Sequence, residues 1–299
     1  MPRNTIAVVG FGDLGERVFE RLPKDQWRCC ALRRRASEVP AGVEGVAVDL
    51  RRPETLGILE ELKPAFLMLT LSPAGRDAAA YRDGFAHAMA AIVAGLGAHR
   101  PLGAFFVSST RVYSEADGGW VDEDSPVAAS DPHVASILEA EQRLHNAIPA
   151  SCVLRAAGLY GGSGPGPLLE RVAAGRLSQR EPLRYSNRVH RDDVAGFIAQ
   201  AINSKTIPEP GIINLVDNEP AAIQAVEAWF CEQLGRPYEP PALPSGETKN
   251  APAAHKRIAN GRLRASGYTL RYPDFRAGYA GVLHNWTVHS EGEDGLDLD

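Results

Sequence analysis

At 299 residues, 44% hydrophobic and 23% charged, the chain is long enough to bury a sizeable core and has the composition of an ordinary soluble protein. Its net charge of −5 comes from the last ten residues, SEGEDGLDLD, which hold five acids and no base and read as a disordered acidic tail over 290–299; the rest sets 32 acids against 32 bases. A neutral body excludes the basic face that a nucleic-acid partner needs, and no apolar run approaches the ~20 residues of a membrane helix.

TIAVVG over 5–10 reads as a buried strand leading into a helix over 14–22. WRCCAL (27–32) and GVAVDL (45–50) read as the second and third strands, followed by a helix over 53–62 and the strand AFLMLTL (65–71). An alanine-rich helix covers 76–98, AFFVSS (104–109) is a fifth strand, a helix spans 132–147, and SCVLRAA (151–157) is a sixth strand. Strands apolar on both faces, alternating with helices, imply a doubly wound parallel sheet, an α/β fold of Rossmann type. Beyond about residue 161 the texture changes. GGSGPGP is a loop, GIINLVD (211–217) is one more strand, and the proline-rich stretch 236–252 must be largely irregular. The expected organisation is a dinucleotide-binding domain over 1–165, rejoined by 188–217, with a small C-terminal substrate lobe drawn mainly from 166–289. Cys29, Cys30, Cys152 and Cys231 show no paired spacing and read as buried thiols of a reducing compartment. MPRNTIAVVG lacks the charged-then-apolar pattern of an export signal, so a cytoplasmic protein is expected.

Gly10, Gly12 and Gly15 form G-x-G-x-x-G at the first strand-to-helix junction. The first glycine permits the tight turn, the second lets a pyrophosphate approach the backbone, and the third packs helix on strand. The free N–H groups of the helix start then meet the phosphates. Phe11, Asp13 and Leu14 belong to the same turn and are counted with the glycines as cofactor-binding. At the end of the second strand an NAD binder usually carries an acid for the ribose 2′-hydroxyl. Here Arg33, Arg34 and Arg35 follow one another. Guanidinium groups at Arg33 and Arg34 suit a 2′-phosphate, which favours NADP over NAD; a solvated basic loop is the other reading. Asp49 is placed to meet the adenine amino group or to cap a helix, with Leu50 beside it. Thr70 and Leu71 close the fourth strand and Ser108 the fifth, on the sheet edge where the cofactor is expected.

Several ordered motifs then resemble the extended short-chain dehydrogenases/reductases, the superfamily of NAD(P)-dependent epimerases and dehydratases. FFVSSTRVYS is similar to the family's fifth strand and serine loop, with Ser114 where glycine is usual, and WVDEDSP to the acidic loop after it. LRAAGLYGG (154–162), NRVHRDDVAGFIAQAI (187–202) and KRIANGRLRASGYTLRYPDF (256–275) resemble three later family segments, so the likeness covers nearly the whole chain. It implies that Ser109 takes the place of the catalytic serine or threonine that polarises the substrate oxygen. The tyrosine of the family's Y-x-x-x-K falls on His133 and the lysine on Ile137, a departure that places the chain near the atypical branch.

Asp131 and Pro132 make a good helix start, putting 133 and 137 one turn apart on a face aimed at the cofactor. Ile137 can only pack there. An imidazole titrates near ~6.5 and needs no ammonium helper, so His133 is expected either to exchange the reaction's proton or to be a polar residue at a helix start. Tyr113 reads as structural, Trp120 as a lid over a packed loop, and Arg155 as paired inside the fold. His190 with Asp192 and Asp193 resembles the family's helix-capping and loop-tethering segment rather than a metal cluster, and no metal is expected. Arg184, Arg188, Lys256 and Arg257 either line a cleft for an anionic substrate or are surface charges. The resemblance implies an oxidoreductase or epimerase-like enzyme acting on a small-molecule hydroxyl or carbonyl substrate, such as a nucleotide sugar. The other reading is a catalytically retired NADP(H)-binding sensor or scaffold. Many relatives dimerise through helices matching 76–98 and 132–147, so the resemblance admits a homodimer.

Overall fold

A computed structural model describes residues 3–208, 211–242 and 255–293. The chain opens with β1 (Asn4–Val9), α1 (Asp13–Glu20), β2 (Trp27–Arg33) and β3 (Val43–Ala47). A 3₁₀ turn (Pro53–Gly57) leads into α2 (Ile58–Leu62) and then β4 (Phe66–Leu69). α3 (Ala78–Tyr81), a π-helical turn (Arg82–His87) and α4 (Ala88–Gly95) follow one another without a break. Next come β5 (Gly103–Ser109), β6 (Trp120–Val121), α5 (Pro132–Ala147), β7 (Ser151–Ala156) and β8 (Gly158–Tyr160). The later elements are α6 (Gly166–Ala173), β9 (Tyr185–Ser186), β10 (Arg188–His190), α7 (Arg191–Ser204), β11 (Ile212–Leu215), β12 (Ala221–Ala222), α8 (Ile223–Gln233), β13 (Arg257–Ile258), α9 (Gly261–Ala265) and α10 (Phe275–Glu293).

Seven parallel strands form the central sheet in the order β11-β7-β5-β4-β1-β2-β3, the doubly wound Rossmann arrangement. Alternation along each strand decides which face a side chain covers. In β1, Ala7 and Val9 join Leu32, Leu67, Leu69 and Phe106 under α4 and α5. Ile6 and Val8 turn the other way, with Cys29, Phe66, Met68 and Phe105, to meet Val18 of α1 and Ile198 of α7. Both faces are therefore buried, which is why the strands read as continuous apolar runs. A third cluster joins Leu169 of α6, Phe230 of α8 and Phe275 and Tyr279 of α10 around Tyr160. All four cysteines are buried and unpaired, and burial pushes the Cys29 thiol up to about 12 and that of Cys30 to about 11.

Three local expectations need correction. The third strand stops at Ala47, not 50: Asp49 accepts the N–H of Arg51 at 3.1 Å and curls the chain away. The helix expected over 76–98 starts at Ala78 and widens into the π turn at Gly84, where a Cβ would lie 2.6 Å from the Pro73 Cα. Residues 290–293, assigned to the acidic tail, continue α10, while 294–299 lie outside the described residues. Helices α6, α8, α9 and α10 had no counterpart in the sequence reading.

Asp217, 2% exposed, follows β11. It accepts the Glu219 N–H at 3.1 Å through Oδ1, while Oδ2 has no partner among the described residues. Burial pushes its pKa up to about 7 against the opposing pull of Arg188. The folded chain thus binds this proton more tightly than the unfolded chain, whose aspartates titrate near ~3.9. The associated stability is present at low pH and is lost as pH rises from about 4 to about 7. Urea titrations should show Asp217→Asn gaining on the parent across that window, by up to about 1.4 kcal/mol per pH unit. A difference independent of pH would contradict it.

Candidate functional site

The order of the sheet reverses between β1 and β4, and the crevice beyond their carboxyl ends is where this architecture receives ligands. Gly10 follows β1 with φ +83°, and its N–H donates to the Leu32 carbonyl at 3.0 Å. A Cβ here would sit 2.4 Å from the Thr70 carbonyl oxygen, so glycine is required. The Thr70 hydroxyl donates to the Gly10 carbonyl at 2.6 Å, tying the turn to the end of β4. Gly15 packs α1 on β1: a Cβ there would meet Phe11 at 2.9 Å and Val8 at 3.1 Å. Gly12 is different. It is the extended N-cap of α1 with no side-chain cap, and a Cβ on it would meet only the Gly10 oxygen at 4.0 Å. Open space over an uncapped helix start fits a dinucleotide pyrophosphate.

The remaining cofactor candidates are placed as follows. Phe11, Leu14 and Leu71 are buried and Leu50 is partly buried. Asp13 accepts from Arg17 and Arg191, both at 2.8 Å, which pins α1 to α7. Arg33 donates to the Glu38 carbonyl at 2.5 Å and to its carboxylate at 3.3 Å, so it is folded back on its own loop. Arg34 is exposed beside Asp49. The Arg51 guanidinium and N–H hold the Asp49 carboxyl down to about 2.

Beyond β5 and β7 lies a cleft of about 720 Å³, lined among others by Ser109, Arg111, Asp131, Arg184 and Lys256. A smaller cavity of about 310 Å³ sits behind α7 and α9, away from the glycine turn. Ser109 Oγ accepts the Arg111 N–H at 3.1 Å, which leaves the hydroxyl's own hydrogen for the cleft. Beneath this loop is a buried polar network. Ser108 donates to Glu141 Oε1 at 2.5 Å, and Arg155 grips the same carboxylate at 3.2 and 2.8 Å. Arg155 also lies over the Tyr113 ring, whose hydroxyl donates to Asn214 at 2.6 Å. Burial raises the Tyr113 pKa. Ser108 is thereby spent inside the protein, and Tyr113 and Arg155 are structural. Lys256 donates to the Tyr113 carbonyl at 2.5 Å, and burial lowers its pKa.

His133 does not line the cleft. Its Nδ1 lies 2.9 Å from Asp131 Oδ1, its Nε2 lies 3.1 Å from the Arg76 carbonyl, and its ring stands edge-on to Tyr81. Both partners are acceptors, so only a doubly protonated ring donates to both. Asp131, which caps α5, lines the cleft in its place, and the His133 N–H and ring lower its pKa. Ile137 is 1% exposed within the core. Trp120 is no lid over a packed loop: it is 58% exposed, with the Arg257 guanidinium over its ring.

His190 caps α7, accepting the Asp192 N–H at 3.1 Å, and burial pushes its pKa down to about 4. Asp193 accepts from the N–H groups of Arg271 and Tyr272 at 2.6 and 3.0 Å, tethering that loop. Sequence reasoning missed Glu141 and Asn214, because polar residues in a helix and at an edge strand carry no sign of burial. It also missed Asp131 as a cleft residue, for the helix cap accounted for it fully.

No protein-family model matches the chain. Protein YeeZ of Escherichia coli is 30% identical over 282 residues, which cover 90% of this chain and 96% of YeeZ. A structure from Methylobacillus flagellatus classed with the NAD-dependent epimerases/dehydratases is 33% identical, covers 96% of this chain and 100% of its own, and superposes with a TM-score of 0.75. UDP-glucose 4-epimerase of Thermotoga maritima, solved with UDP-glucose, is 14% identical, covers 96% of this chain and 99% of its own, and shares the fold with a TM-score of 0.77. No helix among the described residues is long and apolar enough to cross a membrane. With the sheet order, the glycine turn and these relatives in agreement, the chain belongs to the extended short-chain dehydrogenase/reductase superfamily, the NAD(P)-dependent epimerases and dehydratases.

Proposed function

We propose that the protein is an NADP-binding oxidoreductase or epimerase-like enzyme acting on a hydroxyl or carbonyl compound held in the large cleft. The observation that carries this reading is the open face of Gly12 at the uncapped start of α1, on the same sheet edge as Ser109. When bound, a nicotinamide supplies or accepts a hydride. The chain's own part is to hold the substrate oxygen with the Ser109 hydroxyl and to exchange a proton at Asp131, backed by His133. Arg34, exposed where the adenosine ribose is expected, is the residue we assign to a 2′-phosphate, with Arg33 in reserve if Glu38 releases it. Residues 184–187, Lys256 and Ile258 line part of the cleft, and together with α6, α8 and α10 we assign them to the substrate lobe. A nucleotide sugar is one substrate that suits the reading, as UDP-glucose is bound by the Thermotoga epimerase. Four buried, unpaired thiols support a cytoplasmic site of action.

One observation favours a second reading, a retired NADP(H)-binding sensor or scaffold: both His133 nitrogens are occupied and Ile137 is sealed in the core. NADPH consumption across a panel of carbonyl compounds separates the two. The enzyme reading expects turnover that falls ~10²–10⁴-fold in His133→Phe. NADPH that binds and is never consumed would favour the retired module.

A further inference from the structure

In the large cleft the acids are each engaged through one oxygen and Arg111 donates to the Tyr81 hydroxyl at 3.1 Å, while Lys256 and Arg184 keep donors without a partner among the described residues. Glu115 accepts the backbone N–H groups of Asp117 and Gly119 at 2.7 and 3.0 Å. Asp131 is taken by the start of α5 and by the His133 ring. Lys256 lines the same cleft at 6% exposure, with the Tyr113 carbonyl, at 2.5 Å, as its one hydrogen-bond acceptor among the described residues. An ammonium carries three donors, and a buried one is costly unless its shell is completed. The backbone around it is pinned: Asn187 donates to the Lys256 carbonyl at 2.9 Å and accepts the Ile258 N–H at 3.0 Å, while β13 pairs with β6. Arg184 is exposed on the same cleft, and among the described residues its guanidinium makes no hydrogen bond or ion pair.

We propose that the cleft takes a carbonyl compound bearing an anionic group, with the Lys256 ammonium donating to the carbonyl oxygen and the Arg184 guanidinium to the anion. The proposal rests on the enzyme reading above and deepens it to a substrate class. It gives the cleft a cationic donor from the C-terminal segment, while Ile137 of α5 is sealed in the core. Lys256 binds and orients the oxygen opposite the Ser109 hydroxyl. Asp131 is left to handle the proton.

Pyridoxal phosphate, an aldehyde with an anionic group, probes this directly on the full chain. Its aldehyde condenses with an unprotonated amine, releasing water, and borohydride reduces the resulting imine to a stable secondary amine. The chain has five lysines, Lys24, Lys63, Lys205, Lys249 and Lys256, so peptide masses locate the adduct. Lys256 should dominate, and its labelling should fall about tenfold both in Arg184→Ala and with pyridoxal lacking the phosphate, the loss expected for one charge-assisted contact. Lys256→Arg should remove the dominant adduct. Adducts spread over the other lysines with Lys256 unmodified would overturn the proposal. So would Lys256 labelling indifferent to both the phosphate and Arg184. An NADPH titration of the same untreated protein reports separately: selective labelling without NADPH binding would defeat the cofactor reading and leave the anionic carbonyl cleft standing.

Discussion

Gly12→Val should abolish dinucleotide binding while leaving the fold intact. The backbone there is extended, with φ −149° and ψ −156°, at negative φ on the margin of the β region, where no left-handed conformation demands glycine. A Cβ would meet nothing closer than 4.0 Å, so stability should change by no more than about 0.5 kcal/mol. The added methyl groups would instead fill the space over the first N–H groups of α1. Losing two or more charge-assisted contacts to phosphate, at about 1.5–3 kcal/mol each, weakens NADPH at least a hundredfold. Gly10→Ala should do the opposite. A Cβ 2.4 Å from the Thr70 oxygen, at positive φ, strains the fold itself. Thermal melts and NADPH titrations of the two variants should therefore separate cleanly. A Gly12→Val protein that melts normally and still binds NADPH would show that the phosphates lie elsewhere.

Glu141→Ala should be the most destabilising of these substitutions. Glu141 and Arg155 are 7% and 5% exposed at the side chain and share a bidentate contact, with Ser108 as a third partner. Truncating the carboxylate leaves a buried guanidinium uncompensated, which costs about 3–5 kcal/mol. Glu141→Gln keeps an acceptor for Ser108 and should lose less. The loss reaches the site, because Arg155 supports the Tyr113 ring and thus the loop that carries Ser109 and the Lys256 acceptor. Urea unfolding of Glu141→Ala with a midpoint equal to the parent's would mean that Arg155 finds another partner.

The sheet was legible because both its faces are buried, which turns β1, β2, β4, β5 and β7 into unbroken apolar runs. α5 was read at its observed bounds because Asp131 and Pro132 mark its start unambiguously. Where a local signal ended before the structure did, or outlasted it, the reading slipped. Val48 and Leu50 prolong the pattern of β3, yet the turn is set by a carboxylate at Asp49 that alternation ignores. The π turn at Gly84 depends on the nearness of Pro73, a contact between segments that no window along the chain contains. The site was half legible. Glycine spacing located the turn, but the direction of each side chain is set by tertiary partners. Arg33 turns to Glu38, Ser108 to Glu141, and His133 to Arg76 and Tyr81. Lys256 was named as a cleft candidate but could not be told from a surface charge, since its burial is built by Asn187 and the pairing of β13 with β6.

Calorimetric titration of the full chain with NADPH and with NADH should show one saturable site, with NADPH about tenfold or more tighter than NADH and that preference lost in Arg34→Asp, as expected for one charge-assisted pair to the 2′-phosphate. No heat from either nucleotide with folded protein would contradict that expectation.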